Sequence, residues 1–172
     1  MLDRKDIEDA MKNEAFARCR YELYAEIARE EGLHYFAKVL EETARNELSH
    51  FHEFMKILGG LGDTAQNLKT AIAAEKAESQ TIYPKLKEYA MADGEMNTGR
   101  LFQQIAKIEQ THMERLEKLS ELLESGSVYK RAQGIRWKCR ICGYTYEGTE
   151  PPKKCPGCQN GREAYEPEDF GI

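Results

Sequence analysis

Two short stretches place a carboxylate and an imidazole three residues apart: Glu47-Leu48-Ser49-His50 and Glu109-Gln110-Thr111-His112. On a helix, side chains at i and i+3 point the same way, so each pair can grip one cation from one side. Three further acids share this setting. On a 100° wheel, Glu14 shares its face with Ala17, Tyr21, Ala25 and Ala28, and Glu47 lies within a stripe of Phe36, Leu40, Ala44, Phe51, Phe54 and Leu58. Glu75 and Glu78 sit among Leu68, Ala71, Ile72, Ile82 and Leu86, and Glu109 is bracketed by Phe102, Ile105, Ala106, Met113 and Leu116.

An ionised carboxylate in an apolar interior costs several kcal/mol or more unless it is compensated. One acid could protonate or find an arginine, but five converging acids cannot be neutralised by a lone base such as Arg18. Two divalent cations bring such a group close to neutrality. A Glu from each of two helices and Glu-x-x-His from each of the other two is the ligand pattern of di-iron and di-manganese carboxylate bundles. Oxygen and imidazole donors without sulfur favour iron or manganese over copper(I). A single Glu-x-x-His is ordinarily a solvated surface pair; two of them with three more acids on apolar stripes point to metal.

A second metal signature stands near the C-terminus. Cys139-Arg140-Ile141-Cys142-Gly143-Tyr144 and Cys155-Pro156-Gly157-Cys158 are two Cys-x-x-Cys knuckles with twelve residues between them. Four thiolates suit zinc and iron alike, and small residues after the cysteines leave backbone N–H groups free to bond to sulfur. Trp137, Tyr144, Tyr146, Tyr165 and Phe170 are expected to form a small aromatic core around them.

The elements that must position these groups follow from composition. Residues 1–124 hold one proline, Pro84, and are rich in helix formers. Breaks at Gly32, Gly59-Gly60-Leu61-Gly62-Asp63 and Asp93-Gly94 predict helices over 3–31, 33–58, 64–91 and 95–124. Four such helices, joined by short loops, are the material of an antiparallel four-helix bundle in an all-α domain. Pro84 is expected to bend the third helix. Residues 125–134 read as a linker, and 135–172 as a small domain that needs a staple at this size, for which the cysteines are the obvious candidates.

Of 172 residues, 41% are hydrophobic and 32% charged, with net charge -5. An acidic chain without a basic block is a poor match for nucleic acid, and no apolar run reaches the ~18 residues of a membrane helix. The charged start, Met1-Leu2-Asp3-Arg4-Lys5-Asp6, is unlike a secretory signal, so a cytoplasmic protein is expected. Five cysteines suit metal binding better than disulfides there.

Together these residues resemble the rubrerythrin family, a ferritin-like di-iron domain followed by a rubredoxin-like domain, over essentially the whole chain. Glu14, Glu47, His50, Glu75, Glu78, Glu109 and His112 match the family's di-iron pattern, with Tyr83-Pro84 after the third-helix acids. Cys139, Cys142, Cys155 and Cys158, with Gly148 between the knuckles, match its Fe(Cys)4 site. The resemblance implies two iron ions in the bundle and one in the cysteine site, where a recombinant host can load zinc instead. It also implies reduction of hydrogen peroxide to water with electrons from NAD(P)H, through a reductase or rubredoxin. One iron is implied to exchange Glu78 for His50 between redox states, with Glu47 and Glu109 bridging. Tyr21 and Tyr83 are candidates for hydrogen bonds to the carboxylates, with plain packing the alternative.

Helices of about 25 residues are roughly 35–40 Å long, so a tail hung from the fourth would lie far from its own di-iron site. A head-to-tail homodimer would shorten the electron path. The principal rival is a ferroxidase or iron-handling protein, against which the electron-carrier tail and the Glu75/Glu78 pair argue; the other is a scaffold with a zinc ribbon. Cys19 reads as a small buried hydrophobe, His34 as exposed or capping, and His52 as a surface residue.

Overall fold

The computed structural model describes residues 3–169. Four helical stretches form: α1 (Arg4–Glu30), α2 (His34–Ile57), a third divided into α3 (Thr64–Ala77) and α4 (Tyr83–Ala92), and α5 (Met96–Glu124). They are followed by β1 (Ile135–Cys139), β2 (Thr145–Gly148) and β3 (Tyr165–Pro167). The chain separates into two compact units, residues 1–62 and 63–172.

In the first unit α1 and α2 pack as a hairpin through small side chains: Ala25, Ala28 and Ala37 are buried against one another, with Leu40 beside them. Asp3 caps α1 by accepting from the Lys5 N–H. At the far end the N–H of Gly32 reaches the Arg29 carbonyl and that of Leu33 the Ala28 carbonyl. This closure needs a left-handed residue, and Gly32 supplies it at φ 77°. The same closure ends α2, α4 and α5 at Gly59, Gly94 and Gly126, so the glycine breaks in the sequence are helix stops with a common mechanism.

In the second unit α3 and α4 both pack on α5. Asp63 and Gln66 form a reciprocal capping box at the start of α3. Pro84 is accommodated by a π-helical turn over Glu78–Ile82 just before it, in which the Tyr83 N–H bonds to the Glu78 carbonyl five residues back. Proline cannot donate to the helix and its ring crowds the carbonyl four residues earlier. The wider turn lets the chain pass it, and α4 starts with Pro84 in its first turn.

The tail is a three-stranded antiparallel sheet in the order β2-β1-β3, with Trp137 paired to Tyr146 on one side and Cys139 to Tyr165 on the other. Its core is Trp137, Cys139, Cys155, Ala164 and Tyr165, with Tyr129, Ile135 and Cys158 packed around it. Tyr144 and Tyr146 stay largely exposed, and Phe170 lies outside the described residues. Residues 125–134 are tied to this domain: Tyr129 packs on its core, the Arg131 N–H donates to the Thr149 carbonyl, and the Arg131 guanidinium stacks over Trp137 at 5.3 Å.

Candidate metal centres

Each helical unit carries one three-residue group able to hold a cation: Glu14, Glu47 and His50 in the first, Glu75, Glu109 and His112 in the second. Within each group the ligand atoms lie within 4.8 Å of one another. The two are near copies. His50 Nδ1 is 3.0 Å from Glu47 Oε2 and 3.7 Å from Glu14 Oε2; His112 Nδ1 is 2.7 Å from Glu109 Oε2 and 3.6 Å from Glu75 Oε2. In each, the imidazole and the nearer carboxylate come from one turn of a helix, and the third ligand comes from the neighbouring helix of the same unit.

Among the described residues no lysine or arginine pairs with these four glutamates; Arg18 is spent on Glu22 at 3.2 Å. For Glu14 and Glu75 this has an electrostatic consequence. The hydrogen bond with Glu47, then burial and the charge of Glu47, hold the Glu14 carboxyl above the ordinary range. Burial does the same for Glu75, with Glu109 and the charge of Glu78 adding to it. One oxygen of Glu75 is buried with no hydrogen-bond partner. A buried carboxylate oxygen with a free lone pair, beside an imidazole and a second acid, is a donor set made for a hard divalent cation. The residues present therefore fit iron.

Glu78 does not join either three-residue group. It opens the π-helical turn, and its charge is felt by both Glu75 and Tyr83. Burial and the charges of Glu78 and Glu109 raise the Tyr83 hydroxyl above its usual value, and its ring lies 6.2 Å from that of Phe102. Tyr21 meets the ring of Tyr24. Cys19 is exposed, contrary to the buried position expected of it, because its place on α1 turns away from the Ala25–Ala28 packing line. His52 is exposed beside Glu53, as expected of a surface residue.

In the tail, Cys139, Cys142, Cys155 and Cys158 converge, with Cys139 Sγ 3.7 Å from Cys158 Sγ and Cys142 Sγ 3.5 Å from Cys155 Sγ. The two knuckles repeat one backbone pattern. The Cys139 N–H donates to the Tyr144 carbonyl and the Gly143 N–H to Cys139; likewise the Cys155 N–H donates to Asn160 and the Gln159 N–H to Cys155. Gly143 and Gln159, the residues that make each turn, have φ 78° and 62°.

Against burial, the Tyr165 hydroxyl and the N–H groups of Cys158 and Gly157 pull the Cys155 thiol down to about 6. The Tyr144 N–H favours the Cys142 thiolate, but burial and the three other cysteines push that thiol up to about 12. Asn160, which sequence reasoning passed over, donates from its side chain to Cys158 Sγ at 3.2 Å. Its signal was positional: it stands two residues after the last cysteine, as Tyr144 does in the first knuckle.

Comparison with known proteins agrees with both centres. The Rubrerythrin family profile matches residues 5–120, and the profile of the rubrerythrin rubredoxin-like domain matches residues 137–166. Rubrerythrin of Porphyromonas gingivalis is 36% identical, covering 92% of this chain and 86% of its own. Rubrerythrin of Clostridium perfringens is 34% identical over 94% and 93%, and that of Nitratidesulfovibrio vulgaris 31% over 94% and 92%.

Proposed function

The chain belongs to the rubrerythrin family, and from that premise we propose that it is a peroxidase that reduces hydrogen peroxide to water. The observation that carries this reading is the presence, in one chain, of two carboxylate–imidazole groups and a four-cysteine site. The first suits paired irons and the second a one-electron carrier. The overall step balances as one peroxide, two electrons and two protons giving two waters. Paired ferrous ions, when bound, supply both electrons together and avoid a one-electron cleavage.

The chain's residues set the conditions for this chemistry. Glu14, Glu47, Glu75 and Glu109 hold charge at the centre, with Glu47 and Glu109 assigned as the shared ligands. Hard anionic oxygens favour the oxidised metal, whereas the neutral imidazoles of His50 and His112 favour the reduced one. Glu78, whose charge is felt by Glu75 but which lies outside the three-residue group of its unit, is assigned as the carboxylate that alternates with His50. Glu78 opens the π-helical turn, a feature frequent at functional sites. Tyr83, its hydroxyl kept protonated by burial and by the charges of Glu78 and Glu109, is assigned as a hydrogen-bond donor to the carboxylates.

Electrons are proposed to come from NAD(P)H through a separate reductase or rubredoxin to the cysteine site and then to the irons. Glu109 lies fifteen residues before the end of α5, about 22 Å along the helix. A head-to-tail homodimer that brings one chain's tail beside the other's ligands shortens that path. Among the described residues no helix is long and apolar enough to cross a membrane.

The test is anaerobic reduction followed by hydrogen peroxide. Red ferric–thiolate absorption that bleaches with reductant and returns with peroxide, with one peroxide consumed per two electrons, supports the reading. Ferrous iron oxidised and retained without peroxide turnover supports the ferroxidase alternative. His50→Ala should slow peroxide turnover while two irons stay bound; unchanged kinetics would remove His50 from its assigned role.

A further inference from the structure

Among the described residues two buried side-chain atoms have no partner in hydrogen-bonding geometry, Glu75 Oε2 and the Tyr165 hydroxyl oxygen. The first belongs to a carboxylate–imidazole group of the bundle. The second stands in the core of the tail, where Tyr165 is 4% exposed and packs in one cluster with Trp137, Cys139, Cys155 and Ala164. Trp137, the other ring with a polar atom in that core, is satisfied: its Nε1–H donates to the Gly148 carbonyl at 3.0 Å. Buried hydroxyls are ordinarily paired, so the one on Tyr165 calls for an acceptor.

The fold brings sulfur to it. Tyr165 on β3 is paired directly with Cys139 on β1, and residues opposite each other project from one face of a sheet. Cys155 reaches the same cluster from the second knuckle, and both cysteines are fully buried. After burial, Cys155 is the strongest influence keeping the Tyr165 hydroxyl protonated, with the charge of Cys139 behind it. A thiol accepts a hydrogen bond weakly. A metal-bound thiolate carries a negative charge and accepts strongly. Cys155 already receives the N–H groups of Gly157 and Cys158, which belong to the turn of the knuckle; the hydroxyl is a donor that the side chain alone supplies.

We propose that the Tyr165 hydroxyl donates an O–H···S bond to the metal-bound Cys155 thiolate and thereby raises the reduction potential of the iron in the cysteine site. Tyr165 is a positioning residue, acting on the iron through Cys155. Reduction adds one electron to the metal, ferric to ferrous, and the proton stays on the Tyr165 oxygen. With four thiolates the centre carries one negative charge when ferric and two when ferrous, so a donor to sulfur stabilises the reduced form more. Burial keeps water from competing for the sulfur and strengthens the effect. The inference rests on reading the four cysteines as an iron site, and its readouts are a potential and a spectrum, not peroxide turnover.

The experiment uses full-length protein with iron at the four cysteines, wild type against Tyr165→Phe, which keeps the ring and removes only the oxygen. Redox titration followed by the ferric–thiolate absorption should give a reduction equilibrium constant about tenfold smaller in the variant, a fall of about 59 mV for a one-electron couple. The charge-transfer band should also move to longer wavelength, because a sulfur relieved of a hydrogen bond releases its electrons at lower energy. A ring that only packs would leave both where they are. An unchanged potential overturns the proposal.

If Tyr165→Phe fails to hold iron, 3-fluorotyrosine placed at position 165 decides the matter. It keeps the ring and the hydroxyl, is the stronger donor, and should raise the potential; a potential that stays or falls overturns the proposal. Wild-type protein that takes up no iron at the four cysteines defeats the iron reading instead. Cobalt(II) in the same site then reports the bond, its thiolate charge-transfer band moving to longer wavelength in Tyr165→Phe, and an unmoved band overturns the proposal independently.

Discussion

The Cβ that Gly157 lacks would stand 3.2 Å from the Cys142 sulfur. The second knuckle thus passes so close to a ligand of the first that any side chain at 157 presses on the metal site, while the Gly157 N–H also bonds to Cys155. Gly157→Ala should leave the domain folded but shift Cys142, speeding metal loss to a chelator several-fold relative to wild type. Absorbance of the thiolate–metal band during chelator competition measures it; an unchanged rate means the sulfur moves aside freely.

Gln159 makes the same turn as Gly143 with a side chain that disfavours it, at φ 62°. Left-handed backbone costs a non-glycine residue roughly 1–2 kcal/mol, against which glycine's extra unfolded-state entropy costs about 0.5–1 kcal/mol. Gln159→Gly should therefore stabilise the tail by up to about 1 kcal/mol, and Gly143→Ala should destabilise it by a similar or larger amount. Thermal unfolding followed by the metal–thiolate band reports both.

Arg131 turns a presumed linker into part of a domain. Its guanidinium lies over Trp137 and donates to the Ser127 and Lys130 carbonyls at 2.7 and 2.8 Å. Arg131→Ala should cost about 1 kcal/mol or more and open residues 125–134 to proteolysis. Limited digestion with a protease specific for aromatic residues, which would cut at Tyr129, checks the second outcome.

What could be read ahead of the structure depended on whether the signal was local. Gly32, Gly59 and Gly94 marked helix ends because left-handed closure is written in a single residue, and the cysteine knuckles fix their own geometry over four. Glu14, Glu47, Glu75 and Glu109 stood out because each broke an apolar stripe. The π-helical turn was hidden because Pro84 announces a disturbance without its form, which depends on how α5 holds the segments on either side. Arg131 was hidden as well, since the ring it stacks on belongs to a strand six residues later, and Cys19 was assigned to the interior because one wheel cannot tell which of several small residues the neighbouring helix will choose.

Acid should affect metal-free and iron-loaded protein in opposite directions. Glu14 and Glu75 both titrate above the ordinary 4.5 in the folded chain, Glu14 through its bond to Glu47 and Glu75 through burial. Between that value and the raised one, the folded state binds more protons than the unfolded state, so stability falls as pH rises. The contribution is complete below about 4.5 and is lost as pH climbs through the raised values. Iron reverses the sign, because it requires the carboxylates ionised and competes with protons for them. Melting temperatures of metal-free protein should therefore decline from pH 5 to pH 7 while those of iron-loaded protein rise, and Glu14→Gln/Glu75→Gln should flatten the metal-free slope. Parallel curves for the two forms would mean that the carboxylates and the iron do not share these positions.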